Sequence, residues 1–189
     1  ASLTVNSGHV PGLSVTSVNG MEMWYDGTDL NGDGTADSGY STGNAVNGWN
    51  DKSGNGYHMI KQNDPTWASH NGLGVVSFDG DDSLYSTKYW GGGTEFSMFS
   101  VARYTHADTN NYIISDRNPN NFEFGFGSGH TQRWRFGTWV TQINNGKDTS
   151  FHLHSATMNS SDQANTFYHG SQVGTVNSTG ADDNNYLPL

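Results

Sequence analysis

Turn signals recur about every ten residues along this chain, and they constrain its fold more than any other feature. The 189 residues include 25 glycines, and the segments between the turns show almost no helical periodicity. Phe122, Phe124 and Phe126 alternate with small or polar residues, which directs three rings to one face of a strand. Many short strands with frequent turns predict an all-β sandwich of two antiparallel sheets.

Three further segments give specific predictions about strand placement. Phe96–Ala102 has apolar residues on both faces, so we expect it to run centrally between two layers. Residues 139–143 and 150–158 flank Asn145-Gly146, which predicts a hairpin with a primed turn. A second hairpin is expected to turn at His169-Gly170-Ser171.

Composition indicates a protein that works outside the cell. There is no cysteine, so disulfides are excluded, and a net charge of −10 disfavours nucleic acid and anionic membranes as partners. No segment approaches the roughly 18 apolar residues that a membrane helix requires. An acidic, cysteine-free chain rich in Asn, Ser, Thr and Gly is typical of bacterial surface proteins that fold in external calcium, so we expect a secreted or cell-surface location.

The segment 29–37 (DLNGDGTAD) has the spacing of a calcium loop. Calcium takes six to eight oxygen ligands, and the two glycines of this segment permit the tight turn that such a loop needs. A solvated Asn/Asp/Gly turn is the alternative. The predicted Ca²⁺ ligands are the side chains of Asp29, Asn31, Asp33 and Asp37, the carbonyl of Thr35, and Asp26 or water.

The flanks of this loop distinguish it from a helix-loop-helix calcium sensor. Tyr40 stands at the twelfth position, where an EF-hand has a bidentate glutamate, and the flanks lack helical periodicity. The loop is similar to the calcium loops of β-proteins.

Three motifs together resemble a known family. Residues 23–26 (MWYD), 49–56 (WNDKSGNG) and 75–84 (VVSFDGDDSL) look like successive signatures of the concanavalin A-like, laminin-G-like domains of bacterial secreted and surface proteins. With residues 1–18 as a leader strand or connector and residues 19–189 as the sandwich domain, the resemblance itself covers residues 21–189. It implies a jelly-roll β-sandwich, and family members include lectin-like modules, adhesin segments and modules attached to polysaccharide-degrading enzymes.

Most of these motif residues have a structural interpretation. We expect Trp24 and Trp49 to be core aromatics, and Asp51 to bond backbone amides within its turn. Residues 78–84 should carry a strand into a tight turn. There the side chains of Asp79, Asp81 and Asp82 either satisfy backbone donors or hold a second ion.

The resemblance also implies further strands beyond residues 186–189, including one beside the N-terminal strand. A sandwich without them would expose an open edge that invites pairing with another chain or segment. A split domain, a subunit completed by its neighbour and a variant that is complete all remain open.

Catalytic chemistry is not expected. Jelly-roll glycosidases need two carboxylates across one sheet face, and the chain has only Glu22, Glu95 and Glu123, none at such a spacing. His152 and His154 point to one side of a strand, a spacing that can bind zinc or copper, but no third ligand is recognisable. We expect two histidines that face water on the outer side of a hairpin.

The segment 131–139 is the best candidate for ligand binding. Alternation places Arg133 and Arg135 on one face, and Trp134 with Phe136 on the other, where core packing is favoured for the rings. The arginines either neutralise an acidic surface or, with Glu123, pair with sugar hydroxyls or carboxylates. The rings of Trp90, Tyr112, Tyr85 and Tyr89 are candidates for stacking on sugars or for packing.

These observations predict an extracellular, calcium-stabilised binding or adhesion module with a glycan or other cell-surface ligand. The alternative is a structural subunit of a filament or rod, completed by a strand from a neighbouring copy or segment. A polysaccharide-degrading enzyme is a third and weaker hypothesis.

Overall fold

The computed structural model describes residues 18–86, 89–90, 95–105, 111–115, 122–127, 130–136, 138–143, 149–177 and 187–188. These residues form β-strands, turns and loops, and none of them lies in a helix. None of these segments therefore forms a helix that could cross a membrane. The chain divides into two compact units, and their described parts are residues 18–86 and 89–188.

Residues 18–86 of the first unit form five short strands in two antiparallel sheets. They are β1 (Gly48–Trp49), β2 (Met59–Gln62), β3 (Thr66–His70), β4 (Leu73–Ser77) and β5 (Ser83–Ser86). One sheet has the order β1-β2-β5, and β3 with β4 forms a separate hairpin. Asn71 and Gly72 connect that hairpin with positive φ angles, as a two-residue primed turn requires.

The carboxylate of Asp51 connects the segment around Trp24 to the turn that follows Asp51 in the sequence. This buried group accepts hydrogen bonds from the backbone N–H of Trp24, Ser53 and Tyr57, at 2.9–3.0 Å. The predicted amide-binding role of Asp51 in its turn is thus confirmed. Trp24 and Trp49 are only partly buried, so their predicted placement in the core is wrong. Trp24 lies beneath the Lys52 ammonium, and the Trp49 indole N–H donates to the Asp26 carbonyl.

The described residues of the second unit form ten strands. They are β6 (Tyr89–Trp90), β7 (Phe96–Ala102), β8 (Asn111–Ser115), β9 (Phe122–Gly127), β10 (His130–Phe136), β11 (Thr138–Ile143), β12 (His152–Met158), β13 (Ala164–Tyr168), β14 (Ser171–Val176) and β15 (Leu187–Pro188). Two antiparallel four-stranded sheets have the orders β11-β10-β9-β8 and β14-β13-β12-β7, and β6 pairs with β15.

Side chains from both four-stranded sheets meet in one apolar core. Phe124 and Trp134 are fully buried and stack with ring centroids 3.8 Å apart, and Ala156 and Ala164 of the opposite sheet join the same cluster. The prediction of an all-β chain with antiparallel sheets in a sandwich-like arrangement is confirmed. Core packing of Trp134 and the inward direction of Phe124 are confirmed as well, whereas the side chains of Phe122, Phe126 and Phe136 lie outside the described residues.

Two predictions of strand placement are wrong. Among the described strands, β7 lies at the end of its sheet order, and Phe99 and Val101 on its outer face are 64 % and 60 % exposed, so β7 does not run centrally between two layers. Strands β11 and β12 belong to different sheets and do not form a hairpin. The alternation of residues 150–158 fits any antiparallel partner, and the partners here are β7 and β13 rather than the preceding strand.

The hairpin predicted at His169-Gly170-Ser171 is confirmed, because β13 and β14 join through His169 and Gly170. Residues 1–17 and 144–148, and with them the predicted leader and the Asn145-Gly146 turn, lie outside the described residues. The question of further closing strands stays a prediction.

Candidate functional site

Strands β8–β11 place a row of polar and aromatic residues on the face opposite the core. Trp134 pairs with Phe124 on the core side, so alternation turns their neighbours Arg135 and Glu123 to the other face. Arg135 is in register with both Glu123 and Trp139, across β9, β10 and β11. Tyr112 joins the same face from β8, opposite Gly125. We call these four residues, Tyr112, Glu123, Arg135 and Trp139, the polar face.

Exposed aromatic rings give the polar face a contact surface. Trp139 is 37 % exposed and Tyr112 is 38 % exposed, although both lie on strands whose other side fills the core. The Arg135 guanidinium lies over the Trp139 ring, 5.3 Å from its centroid, which is a cation–π contact. This contact fixes the orientation of both side chains before any ligand arrives.

Glu123 lies in the centre of the polar face but is only 5 % exposed. This glutamate is therefore not solvent-exposed, and its predicted contact with a ligand stays a prediction. Its Oε2 atom has no hydrogen-bond donor among the residues that the structure describes. A buried acceptor without a partner costs about 1–3 kcal/mol, so a water molecule or ligand hydroxyl that reached this oxygen would be held there.

The structure brings together part of the predicted ligand set. Glu123, Arg135 and Tyr112 share one face, and Arg133 occupies a register position opposite Gly125 on the same sheet. The side chains of Arg133 and Trp90 lie outside the described residues, as does that of Tyr89. Tyr85 lies on β5 of the first unit. Trp139 is not among the ligand residues predicted from the sequence, because only the irregular register between β10 and β11 places Trp139 beside Arg135.

The predicted calcium loop closes around Asp29, which is 2 % exposed. Its Oδ1 accepts the N–H of Gly32 and of Asp33, and its Oδ2 accepts the N–H of Gly34. Asp37 closes the loop because its Oδ2 accepts the N–H of Leu30 at 2.6 Å. Gly32 and Gly34 both have positive φ, as the prediction requires.

A cation already lies beside the inner carboxylates of this loop. The Lys52 ammonium lies 2.6 Å from Asp29 Oδ2 and 3.2 Å from Asp26 Oδ2, and the Lys52 side chain is nearly buried. Burial alone would raise the pKa of Asp29, but the hydrogen bonds from Lys52 and from the Gly34 and Gly32 amides outweigh it and lower that pKa. Burial likewise opposes the charge on Lys52, and the two aspartates overcome it and raise the Lys52 pKa.

The outer residues of the loop are exposed and bond to one another. The Asp33 N–H donates to Asn31 Oδ1, and the Thr35 N–H donates to Asp33 Oδ1. No three carboxylates of residues 26–37 bring oxygens within 4.8 Å of one another. The oxygen ligands suit Ca²⁺ chemically, but their arrangement here suits Lys52. Calcium at this loop stays a prediction, and it requires displacement of that ammonium or rearrangement of the outer oxygens.

Carboxylates do converge in the turn between β4 and β5. Asp79, Asp81 and Asp82 each offer an oxygen within 4.8 Å of the others, and no other group of three acidic or histidine side chains meets this criterion within the described segments. Hydrogen bonding and repulsion from Asp79 raise the pKa of Asp81. Asp82 also accepts the N–H of Asp64 and that of Asp79. The side chains of this turn therefore satisfy backbone donors, which is one of the two predicted roles, and the second ion stays a prediction.

The glutamates and histidines are distributed as follows. Glu22 lies in the first unit, whereas Glu95 accepts the N–H of Ser160 and Glu123 lies on the polar face of the second.

His154 is fully buried against Phe124, so the prediction that His152 and His154 face water on the outer side of a hairpin is wrong. Burial, and then the charges of His152 and His169, lower the pKa of His154 to about 4.

Comparisons with protein-family models, with curated proteins and with solved structures give no match to this chain. The resemblance to concanavalin A-like domains therefore depends on the three motifs and the all-β architecture.

Proposed function

We propose that this chain is an extracellular binding or adhesion module of the concanavalin A-like, jelly-roll type, and that its polar face binds carbohydrate. The observation that carries the proposal is the grouping of Tyr112, Glu123, Arg135 and Trp139 on the face opposite the core. A glycan presented at a cell surface is the partner that this chemistry fits best.

Each part of the polar face has a counterpart in a sugar ring. The exposed rings of Trp139 and Tyr112 can stack on the apolar C–H surface of a pyranose, since large rigid aromatics bury area at low conformational cost. Arg135 offers planar donors for hydroxyl or carboxylate oxygens, and Glu123 offers an acceptor. Because the Arg135–Trp139 contact holds both side chains in place, less conformational entropy is lost on binding.

Glycan binding by single substitutions on the polar face tests this proposal. A glycan array followed by calorimetry on the strongest hit should show that Trp139→Ala weakens binding by about tenfold or more, as loss of a central aromatic contact does. Phe99→Ala is the matched control, because Phe99 is an exposed aromatic on the other four-stranded sheet. Equal affinity of Trp139→Ala and the parent protein would contradict the proposal.

Catalysis is not part of this proposal. Glu123→Gln should keep the fold and alter ligand binding at most, because the amide retains the shape of the carboxylate. Polysaccharide turnover that disappears in this variant would instead assign Glu123 a catalytic role.

We also propose calcium as a stabilising ion, bound by the oxygens of segment 26–37 or by Asp79, Asp81 and Asp82. The convergence of the latter three carboxylates supports the second location. Chelation should lower Tm if either is occupied, because an ion that binds only the folded state stabilises it by mass action. Asp33→Ala and Asp81→Ala, compared in calcium and in EDTA, distinguish the two locations.

A structural subunit is the second candidate, and strand β7 favours it. Within the described residues β7 pairs with β12 alone, and exposed Phe99 and Val101 accompany that edge. Edges of this kind accept strands from other chains. Light scattering over a concentration series should detect polymers in this case, and Phe99→Lys should dissolve them. A monodisperse monomer at all concentrations would exclude the subunit hypothesis.

A further inference from the structure

Two histidines and a tyrosine meet at one end of the sheet formed by β14, β13, β12 and β7. His152 Nδ1 lies 2.8 Å from His169 Nε2, and the Tyr168 hydroxyl lies 2.6 Å from the same Nδ1. The ring centroids are 4.5–5.0 Å apart in all three pairs. An imidazole nitrogen of His169 and the phenol oxygen of Tyr168, both atoms of kinds that bind metal ions, therefore lie within 2.8 Å of a third such atom, His152 Nδ1.

The backbone at His169 has a positive φ angle, which is uncommon for residues other than glycine. His169 and Gly170 have φ angles of +49° and +79°, and they form the two-residue connection between β13 and β14. Asn-Gly is the preferred pair for such a turn, and a non-glycine residue at positive φ adds strain. The His169 N–H donates to the Leu153 carbonyl of β12, and this bond does not involve the imidazole. Histidine is among the few non-glycine residues that tolerate positive φ, but the turn does not itself require an imidazole at this position.

His152 Nδ1 has two polar neighbours, and a single hydrogen bond accounts for only one of them. A neutral imidazole has a single in-plane lone pair, and both the Tyr168 hydroxyl and the His169 nitrogen lie within hydrogen-bond distance of the same Nδ1. Tetrahedral ligands about 2.0–2.1 Å from a metal lie roughly 3.3 Å apart, so an opening of about half an ångström would admit an ion.

We propose that His152, His169 and Tyr168 form a binding site for a divalent transition metal ion, with Cu²⁺ bound more tightly than Zn²⁺. Imidazole ligands suit both ions, and the order of stability among first-row metals places copper above zinc. His154 does not belong to the set, because its ring centroid is 6.2 Å from that of His152. This site lies in a different unit from the predicted calcium loop, and its nitrogen ligands distinguish it chemically.

The turn position supplies a precise variant for the test. His169→Asn removes the imidazole and keeps a residue that tolerates positive φ, so the hairpin is retained. Tyr168→Phe removes one oxygen atom and no ring. His70→Ala is the matched control, because His70 is a partly exposed strand histidine in the first unit.

Calorimetric titration of metal-free protein with Cu²⁺ and with Zn²⁺ measures the site directly. Parent protein and His70→Ala should bind one equivalent, and His169→Asn should bind at least about tenfold more weakly. Tyr168→Phe should abolish the tyrosine-to-copper charge-transfer absorption of the Cu²⁺ complex. Circular dichroism reports whether each variant is folded, and His152→Gln replaces His169→Asn if the latter is not.

Two results would overturn the proposal. One is parent protein that binds neither ion. The other is folded His169→Asn or His152→Gln that binds both ions as tightly as His70→Ala, which would assign the metal to other histidines.

Discussion

The first unit, residues 18–86, buries two aspartates that accept backbone hydrogen bonds, whereas the second, residues 89–188, has a stack of two aromatic rings at its centre. Asp29 and Asp51 are buried in the first unit, which has few fully buried apolar side chains among its described residues. Phe124 and Trp134 form the centre of the second unit. The two units bury different groups because their backbones differ in regularity. Sheets satisfy their own N–H groups through ladders, but the irregular segments of the first unit need side-chain acceptors.

The buried aspartates of the first unit act as structural acceptors for protein donors, and an ion at Asp29 would have to compete with those donors. Asp29 binds three backbone amides and Lys52, and Asp51 binds three backbone amides. An Asp-rich segment can therefore have the spacing of a metal loop and still be completed by protein donors.

Removal of the central ring of the second unit should have the largest effect on stability. Trp134→Ala should lower the free energy of unfolding by about 3–5 kcal/mol, because it leaves a cavity beside Phe124. Hydrogen exchange should show lost protection in β9, β10 and β12 and retained protection in the first unit. Lost protection confined to residues 18–86 would contradict the comparison.

Removal of the Asp51 carboxylate should destabilise the first unit by about 3 kcal/mol, because Asp51→Ala leaves three backbone N–H groups without their acceptor. Urea unfolding measures the change. Asp64→Ala is the matched control, since Asp64 is exposed and pairs only weakly with Lys61, and it should shift the free energy by less than about 0.5 kcal/mol. Equal effects of the two substitutions would contradict the role of Asp51.

The two units should respond to acid in different pH ranges. The pKa of His154 is lowered to about 4 by burial and then by His152 and His169, so the unfolded chain binds this proton more readily below pH 6.5. The second unit should lose up to about 3 kcal/mol as pH falls from 6.5 to 4, and this group adds no further loss below that range.

The first unit should respond only at lower pH. Burial tends to raise the pKa of Asp51, but hydrogen bonds from Ser53, Trp24 and Tyr57 outweigh it and lower that pKa. Its stabilisation is fully present above the unfolded pKa, near 3.9, and is lost as pH falls through the folded value. Thermal melts in EDTA from pH 7 to 3, with His154→Gln for comparison, measure both ranges. A second unit insensitive to pH above 4 would contradict the account of His154.

Replacement of Lys52 tests whether its ammonium occupies the place of a calcium ion. Lys52→Met should cost about 2 kcal/mol in EDTA, less than a typical broken buried pair because Asp29 keeps its amide donors. If ion and ammonium compete, the variant should bind Ca²⁺ more tightly than the parent, whose expected Kd is about 10⁻⁴–10⁻³ M. Identical calcium dependence of Tm in both proteins would rule out this competition.

Local features of the fold were predictable from the sequence, and pairings between distant segments were not. The alternation around Phe124, the turn at His169-Gly170 and the backbone-binding role of Asp51 depend on neighbouring residues, and all three are confirmed. The edge position of β7 depends on which strands lie beside it. Alternation cannot supply that information, because one pattern fits several partners.

In the candidate sites too, contacts between neighbouring residues were predictable from the sequence and contacts between distant segments were not. The common face of Glu123 and Arg135 follows from alternation plus one register, whereas Trp139 joins them only through a local irregularity. Lys52 lies 23 residues beyond Asp29 in the sequence, and nothing in its spacing indicates an ion pair. The meeting of His152 with His169 requires the β12–β13 pairing and the turn that follows β13.

An NMR titration with a glycan identified on the array tests the proposed polar face most directly. Among the indole N–H signals of the six tryptophans, those of Trp134 and Trp139 report on the two faces of this sheet. Saturable shifts should be largest at Trp139 and at the backbone amides of Tyr112 and Arg135, with the fully buried Trp134 responding less. Shifts that cluster in the first unit, or on β7 around Phe99, would contradict carbohydrate binding at the polar face.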